Sequence, residues 1–294
     1  MKLLRTFAQE AVVSVGILLL STSMIFFVAF YATGDLQKEK LGIALNETAL
    51  QAYVSWWNAA LHGNFAGEFG TQERLRENVV NGLEQTVTLV VLTLAISLAI
   101  SLAIALYLIR NPGRLIAAAV ERTMYFSGAV PVFLIAILVY AAFMRYNILP
   151  MIDPRNSFAE NLFPYSIAAV VLSLGSGVTG ELVRLFKLEL GKILGQMYIQ
   201  AVRIRSANVT AHVARAALVP MSSMLVAKIP YFIGASIIVE DVFGIKGLGH
   251  LMVESGESAN FGLLMTVSLC FVLIVLTARM LNKFIVVLFD PRMA

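Results

Sequence analysis

Residues 85–109, QTVTLVVLTLAISLAISLAIALYLI, contain no charged side chain and decide the fold class of this chain. A helix of about 20 predominantly apolar residues crosses the hydrocarbon core of a bilayer, because its backbone polar groups bond within the segment. Similar apolar stretches recur outward from it at 11–32, 124–144, 165–183, 219–239 and 262–287. The sequence therefore predicts an all-α polytopic membrane protein with about six transmembrane helices.

The composition of the whole chain agrees with this prediction. Hydrophobic residues make up 59% of the chain and charged residues 14%, against about 45–50% and about 25% in soluble proteins. One cysteine cannot form an internal disulfide bond, and the three histidines fall in three separate extramembrane segments. The sequence therefore predicts no disulfide framework, no metal site and no catalytic residue.

The basic residues are distributed unevenly between the predicted loops. With the N-terminus placed in the cytoplasm, fourteen of the 22 Lys and Arg residues lie on the inner side and seven on the outer side. Loops rich in Lys and Arg remain in the cytoplasm. We therefore expect both termini to be cytoplasmic, and we assign the net charge of +4 to membrane topology rather than to nucleic acid binding.

The outer segment that follows the first span contains the sequence ALQAYVSWWNAAL. At helical spacing, one face of this segment carries apolar residues, namely Leu50, Tyr53, Val54, Trp57 and Leu61. Tryptophans favour the boundary between membrane and water. The pattern therefore predicts an interfacial helix with Trp56 and Trp57 at the level of the lipid headgroups.

The inner loop at 184–218 is the other long extramembrane region. It is basic and has helical periodicity but no apolar run of spanning length. A cytoplasmic loop of this kind is a candidate surface for docking a partner. We therefore divide the chain into residues 1–84, with the first anchor and the outer segment, and residues 85–294, a five-helix core that carries the docking loop.

Two polar features fall inside predicted spans. Residues 175–180, GSGVTG, match the dinucleotide fingerprint G-x-G-x-x-G, which works only between a strand and a helix. Within an apolar span, Gly175 and Gly177 instead predict close helix packing or a pore lining. Lys228 falls about midway along the fifth span, where a lysine costs roughly +2.5 to +3.5 kcal/mol and usually faces a cavity or a partner.

Lys228 has no acidic residue of the chain at a comparable depth in the predicted topology. Its counter-charge is therefore expected in another subunit, in water or in a transported molecule. The sequence leaves two interpretations open, a structural pair across a subunit interface and direct contact with cargo.

Three blocks in the second half of the chain resemble a known family. They are YIQAVRIRS at 198–206, HVARAALVP at 212–220 and EDVFGIKGLG at 240–249. In order and spacing they resemble the cytoplasmic coupling motif and the outer signature of permeases from binding-protein-dependent ABC importers, in the dipeptide/oligopeptide/nickel family. The chain departs from the family pattern at Val202, at Ser206 and at Lys246, where the family has alanine, glycine and proline.

The ends of the chain extend the resemblance. YATGD at 31–35 and Tyr53 to Phe65 resemble the family's outer segment, and DPR at 290–292 resembles its closing residues. These features match the first of two permeases that form such a pore together.

The resemblance implies which residues act at each site. Contact with an ATPase is implied for Tyr198, Ala201, Val202, Arg203, Arg205 and Ser206. The outer signature comprises Glu240, Phe243, Gly247, Leu248 and Gly249. For Lys228, Gly175 and Gly177, the position within predicted spans, and not the resemblance, indicates the translocation path or the subunit interface.

The resemblance also implies a function. It is that of a non-catalytic type I permease subunit in a bacterial inner membrane, which imports peptides in most relatives and nickel or other solutes in some. Its implied partners are a second related permease in a heterodimer, two ATPase subunits, an extracytoplasmic binding protein and membrane lipid. ATP and Mg²⁺ would bind only to the ATPases, since this sequence has no phosphate-binding G-x-x-x-x-G-K-[ST] loop.

Two other functions fit a polytopic chain of this composition. A secondary transporter would use Lys228 in an ion or proton relay, but such carriers are commonly built from internal repeats, and the two halves of the sequence show no convincing similarity. A non-transporting assembly factor would need neither Lys228 within a span nor the long basic loop.

Overall fold

The computed structural model describes residues 2–32, 48–62, 72–146, 148, 158–205, 208–258 and 260–289. Within these ranges the regular elements are all helical, which confirms the predicted all-α polytopic class. The α-helices are α1 (Lys2–Ala32), α2 (Ala49–Leu61), α3 (Gln72–Arg110), α4 (Leu115–Phe126), α5 (Val132–Arg145), α6 (Phe158–Gly175), α7 (Val178–Gly195), α8 (Met197–Ile204), α9 (Val209–Val226), α10 (Ile229–Phe243), α11 (Leu248–Glu257) and α12 (Phe261–Phe289). A 3₁₀ turn, Ser127–Ala129, follows α4.

Four of the described helices are long and apolar enough to cross a membrane, namely α1, α3, α9 and α12. Helices α6 and α7 meet the same criterion only together, and the pair is bent by 64°. Counting that pair as one span gives five. Helix α5 is apolar but has only 14 residues.

Three of the six predicted spans are interrupted rather than continuous. The third is divided between α4 and α5, the fourth between α6 and α7, and the fifth between α9 and α10. Proline and glycine account for these breaks. Pro131 precedes α5 and Pro230 lies in the first turn of α10, and a proline has no backbone N–H to donate to the preceding helix. Gly177 adopts a left-handed φ of 73°, which ends the helix before it.

Helix α3 occupies the centre of the fold and packs against α6, α7, α10 and α11. Its buried Leu89 and Ala105 join a core with Leu172 of α6 and with Leu182 and Phe186 of α7. Since lipid is as apolar as leucine, close packing and hydrogen bonds between helices hold such a core together. Small polar side chains, Ser97 and Ser101 among them, are buried along α3 and allow this close approach.

Helices α1 and α2 lie at the edge of the fold, where α1 packs against α12. Thr48 and Gln51 form reciprocal capping bonds at the start of α2, so local side chains determine where this helix begins. Phe26 of α1 lies at the centre of an aromatic cluster, with ring centroids 5.2 Å from both Tyr53 of α2 and Phe261 of α12. The predicted helix in the outer segment is therefore present and is anchored to α1.

The apolar face predicted for α2 divides between two environments. The Tyr53 hydroxyl lies 2.9 Å from that of Thr22, which turns Tyr53 towards α1. Leu50, Val54 and Leu61 of the same face are exposed. The outward side chains are thus available to lipid or to another subunit, and the interfacial location of α2 stays a prediction.

Candidate functional site

The three helix breaks lie side by side and line one cavity of about 610 Å³, which we call the helix-break cavity. The turn after α4, the α6–α7 break and the α9–α10 break each contribute to its wall. Its lining residues are Gly128, Ser176, Gly177, Val178, Glu181, Ala227, Lys228, Pro230 and Tyr231. Non-helical backbone at membrane depth is tolerated only where protein buries it or where it lines a water-filled cavity.

Two of the breaks touch through their backbones. A Cβ atom added to Gly177 would lie 2.5 Å from the Cα of Gly128, and one added to Gly128 would lie 3.1 Å from the Cα of Gly177. Gly175 also packs closely, since its Cβ would lie 3.2 Å from Ile135 of α5. Both glycines that the sequence analysis singled out are therefore at close contacts, and Gly177 has the additional role of ending a helix.

Hydroxyl groups satisfy the carbonyls that the α6–α7 break leaves without helical partners. The Thr179 hydroxyl donates to the carbonyl of Ser173 at 2.8 Å, and the Tyr231 hydroxyl donates to the carbonyl of Ser176 at 3.1 Å. Ser97 of α3 donates to the Ser173 hydroxyl at 2.8 Å. A buried polar group without a partner costs about 1–3 kcal/mol, so these bonds stabilise the break.

An ion pair lies at the helix-break cavity and corrects the expectation for Lys228. Its Nζ lies 2.6 Å from Oε1 of Glu181, in the first turn of α7, so the counter-charge belongs to this chain. The Lys228 side chain is 21% exposed and that of Glu181 45%. In a continuous fourth span, residue 181 would lie near the inner end. The bend at Gly177 instead brings it beside the α9–α10 break.

A smaller cavity, of about 240 Å³, continues from the helix-break cavity and shares Gly128, Gly177 and Glu181 with it. The opposite face of α7, with Leu182 and Phe186, is buried in the core. Glu181 and Arg184 of α7 line the smaller cavity, as does Glu121 of α4. Lys187, three positions after Arg184, pairs with Glu121 at 2.7 Å. Charged side chains therefore extend from the α6–α7 break along α7.

The predicted outer signature comes together around a buried carboxylate. Glu240 accepts a hydrogen bond from the Thr86 hydroxyl at 2.9 Å and one from the backbone N–H of Gly249 at 2.7 Å. The Thr86 oxygen in turn accepts from the N–H of Leu248 at 2.7 Å. This network joins α3, α10 and the start of α11.

The other signature residues pack around the same network. A Cβ on Gly249 would lie 2.5 Å from the Cα of Ile237, so only glycine lets α11 approach α10 this closely. Gly247 is buried at the start of α11, and Phe243 packs edge-on against Tyr140 of α5, with ring centroids 5.6 Å apart. The geometry of the signature is that of a packing motif where the end of α10 and the start of α11 meet α3.

Helix α8 contains most of the predicted coupling residues. Ile199 is fully buried and anchors α8, and Val202 is half-buried. Exposed side chains are those of Tyr198, Ala201, Arg203 and Arg205. Ser206 lies outside the described residues, as do residues 33–35, 63–65 and 290–292 of the other matching segments.

Of the nine residues that line the helix-break cavity, the sequence analysis named only Gly177 and Lys228 as site candidates. The other seven were missed, Glu181, Gly128 and Tyr231 among them. The only available signal was the placement of glycine and proline within three apolar runs, which predicts breaks but not their meeting.

Comparisons with known proteins agree with the geometry. Residues 95–294 match the family described as binding-protein-dependent transport system inner membrane component. The chain is 23% identical over 262 residues to a probable peptide ABC transporter permease of Sinorhizobium fredii, covering 87% of this chain and 83% of that protein. It is 24% identical over 259 residues to the nickel import system permease protein NikB of Staphylococcus aureus, covering 87% of this chain and 75% of that one.

Proposed function

Because the chain belongs to the family of binding-protein-dependent transport system inner membrane components, we propose that it is the permease of a peptide importer whose helix-break cavity forms part of the translocation path. As an ABC importer permease it is a multi-pass inner-membrane subunit and not an enzyme. Permeases of this family work with another permease, with ATPases and with a substrate-binding protein.

The ion pair in the helix-break cavity is the observation that carries the choice of cargo. A peptide has an ammonium group and a carboxylate, and Glu181 and Lys228 offer one opposite charge to each. A free divalent cation would be attracted by Glu181 but repelled by the ammonium group of Lys228 beside it. Of the two cargoes named in the relatives, the cavity charges therefore favour the peptide.

The proposed assembly is a heterodimer with a related permease, two ATPases and one extracytoplasmic binding protein. ATP and Mg²⁺ would bind to the ATPases. With both termini in the cytoplasm, α8 lies on the inner side, where its exposed Arg203 and Arg205 would meet an ATPase. Helices α2 and α11 then lie on the outer side.

Helix α7 provides a physical connection between the proposed ATPase contact and the cavity. It runs without interruption from Val178 to Gly195 and is followed directly by α8. At 1.5 Å per residue its length is about 27 Å. A displacement of α8 would thus be transmitted along one rigid helix to Glu181, changing the contacts of the cavity between the inward-facing and outward-facing states.

Neutralising the ion pair tests the proposed role of the cavity. Lys228→Met removes the ammonium group but keeps most of the stem, Glu181→Gln removes the opposite charge, and the double variant removes both. Uptake of a labelled dipeptide would be measured in cells that express the whole importer, together with co-purification of the partner permease and the ATPases. We expect each variant, including the double one, to lower uptake about tenfold or more with assembly intact.

A purely structural pair gives a different result. Each single variant would then strand a charge, and the double variant would recover because nothing remains unpaired. Recovery of dipeptide uptake in the double variant would contradict the proposed cargo contact. Glu189→Gln with Lys192→Met neutralises another ion pair of the same helix, in which the lysine is 72% exposed and the glutamate 22%. This double variant is the matched control, for which we expect normal uptake.

A further inference from the structure

A separate polar cavity, of about 370 Å³, lies between α1, α9 and α12. We call it the basic cavity because Arg279 and Lys283 of α12 line it together with Glu10 of α1. It shares only Ala227 and Pro230 with the helix-break cavity. Neither the sequence motifs nor the proposed transport path gives it a role.

The charges of the basic cavity are not balanced. Glu10 is the one carboxylate among the described lining residues, and it lies 3.7 Å from Nη2 of Arg279 and 3.4 Å from Nζ of Lys283. These distances exceed the roughly 2.7–2.9 Å of a strong charge-assisted hydrogen bond. Two cations therefore share one acid loosely, and the cavity keeps one net positive charge that attracts an anion.

The depth of the basic cavity follows from the length of the uncharged helices beside it. Residues 261–278 of α12 carry no charge before Arg279, a length of about 27 Å at 1.5 Å per residue. Residues 11–32 of α1 carry none after Glu10, about 33 Å. Since the hydrocarbon core is about 30 Å thick, both charged ends lie at its boundary, where lipid phosphates are found.

The surroundings of the basic cavity are apolar and exposed. On α12, Leu281 and Phe284 are 60% and 57% exposed, and on α1 Val12 is 73% exposed. Acyl chains would cover such side chains while a headgroup reached the cations.

We propose that the basic cavity binds the phosphate group of an anionic membrane lipid. Arg279 and Lys283 donate to the phosphate oxygens, and Glu10 pairs with both cations when no lipid is bound. Basic cavities between transmembrane helices recognise lipid headgroups by this chemistry. The proposal does not depend on the cargo or on the ATPase contact.

Lipid binding to the intact importer, purified with its partner permease and ATPases, tests the proposal. Fluorescent phosphatidylglycerol would be titrated into complexes in nanodiscs of phosphatidylcholine, with fluorescent phosphatidylcholine as the comparison. We expect saturable binding of phosphatidylglycerol and no saturable binding of phosphatidylcholine. Each basic residue near a lipid phosphate is worth about a fivefold change in affinity, so Arg279→Gln with Lys283→Gln should weaken binding about thirtyfold.

Two further variants separate a lipid site from a structural tether. Glu10→Gln removes the acid that competes for both cations, so it should strengthen phosphatidylglycerol binding. A tether between α1 and α12 predicts no such gain. Arg110→Gln with Arg114→Gln removes the same charge from exposed positions elsewhere and should leave affinity unchanged. Weaker binding in Glu10→Gln, or equal losses in both double variants, would overturn the proposal.

A competition arm distinguishes a lipid from a free anion. Millimolar inorganic phosphate should not displace bound phosphatidylglycerol, since it lacks acyl chains to cover the apolar surface. Displacement at that concentration would assign the cavity to free phosphate and overturn the lipid assignment.

Discussion

Replacing Gly177 with alanine should destabilise the protein by about 2–5 kcal/mol, from two separate causes. A side chain at its φ of 73° costs about 1–2 kcal/mol because a Cβ approaches the following carbonyl. That Cβ would also lie 2.5 Å from the Cα of Gly128, and forcing extra atoms into a packed interior costs about 1–3 kcal/mol. Gly113, with φ 78° and nothing within 4 Å of its Cβ, has only the first cost.

Thermal unfolding of the purified importer complex measures the difference. At about 2 °C per kcal/mol for a chain of this size, Gly177→Ala should lower the apparent Tm by about 4–10 °C and Gly113→Ala by about 2–4 °C. Gly128→Ala meets the same contact from the other side, at 3.1 Å and without positive φ, and should fall between them. Equal shifts at Gly177 and Gly113 would refute the close backbone contact between the breaks.

Three other regions give predictions of their own. Glu240→Ala should destabilise the protein by about 2–6 kcal/mol, because the Thr86 hydroxyl and the Gly249 N–H lose their acceptor at about 1–3 kcal/mol each. A Tm equal to that of Glu240→Gln would contradict this. Arg203→Glu with Arg205→Glu should abolish co-purification of the ATPases while the permease still inserts, and undiminished co-purification would remove α8 as the docking helix. After Cys270→Ser, a cysteine at exposed Asn58 should react with an impermeant maleimide on spheroplasts; labelling only after lysis would reverse the topology.

The elements that depend on local sequence were predictable. The length of the apolar runs predicted the class of helical membrane protein. Helix α2 begins where Thr48 and Gln51 can cap it. The signature residues Glu240 and Gly249 could also be grouped in advance, since they are close along the chain. In each case the deciding interactions are between near neighbours or with the solvent.

The elements that depend on contacts between distant segments were not predictable. Thr86 and Glu240 are 154 positions apart, and nothing in the apolar run around Thr86 indicates that its hydroxyl meets a carboxylate. The Glu181–Lys228 pair depends on the bend at Gly177, because a straight helix would separate the two charges along the membrane normal. A periodic apolar pattern reports which residues avoid water, but it does not report where a helix turns.

The α9–α10 break is a wall common to two cavities, and this position has a thermodynamic consequence. Ala227 and Pro230 line both the helix-break cavity and the basic cavity. A molecule that shifts these residues from one side changes the space available on the other. Linkage makes such an effect reciprocal. A lipid that raised the affinity of the protein for cargo would itself bind more tightly, by the same factor, when cargo was bound. The occupancy of the importer by cargo would then depend on the lipid composition of the surrounding bilayer.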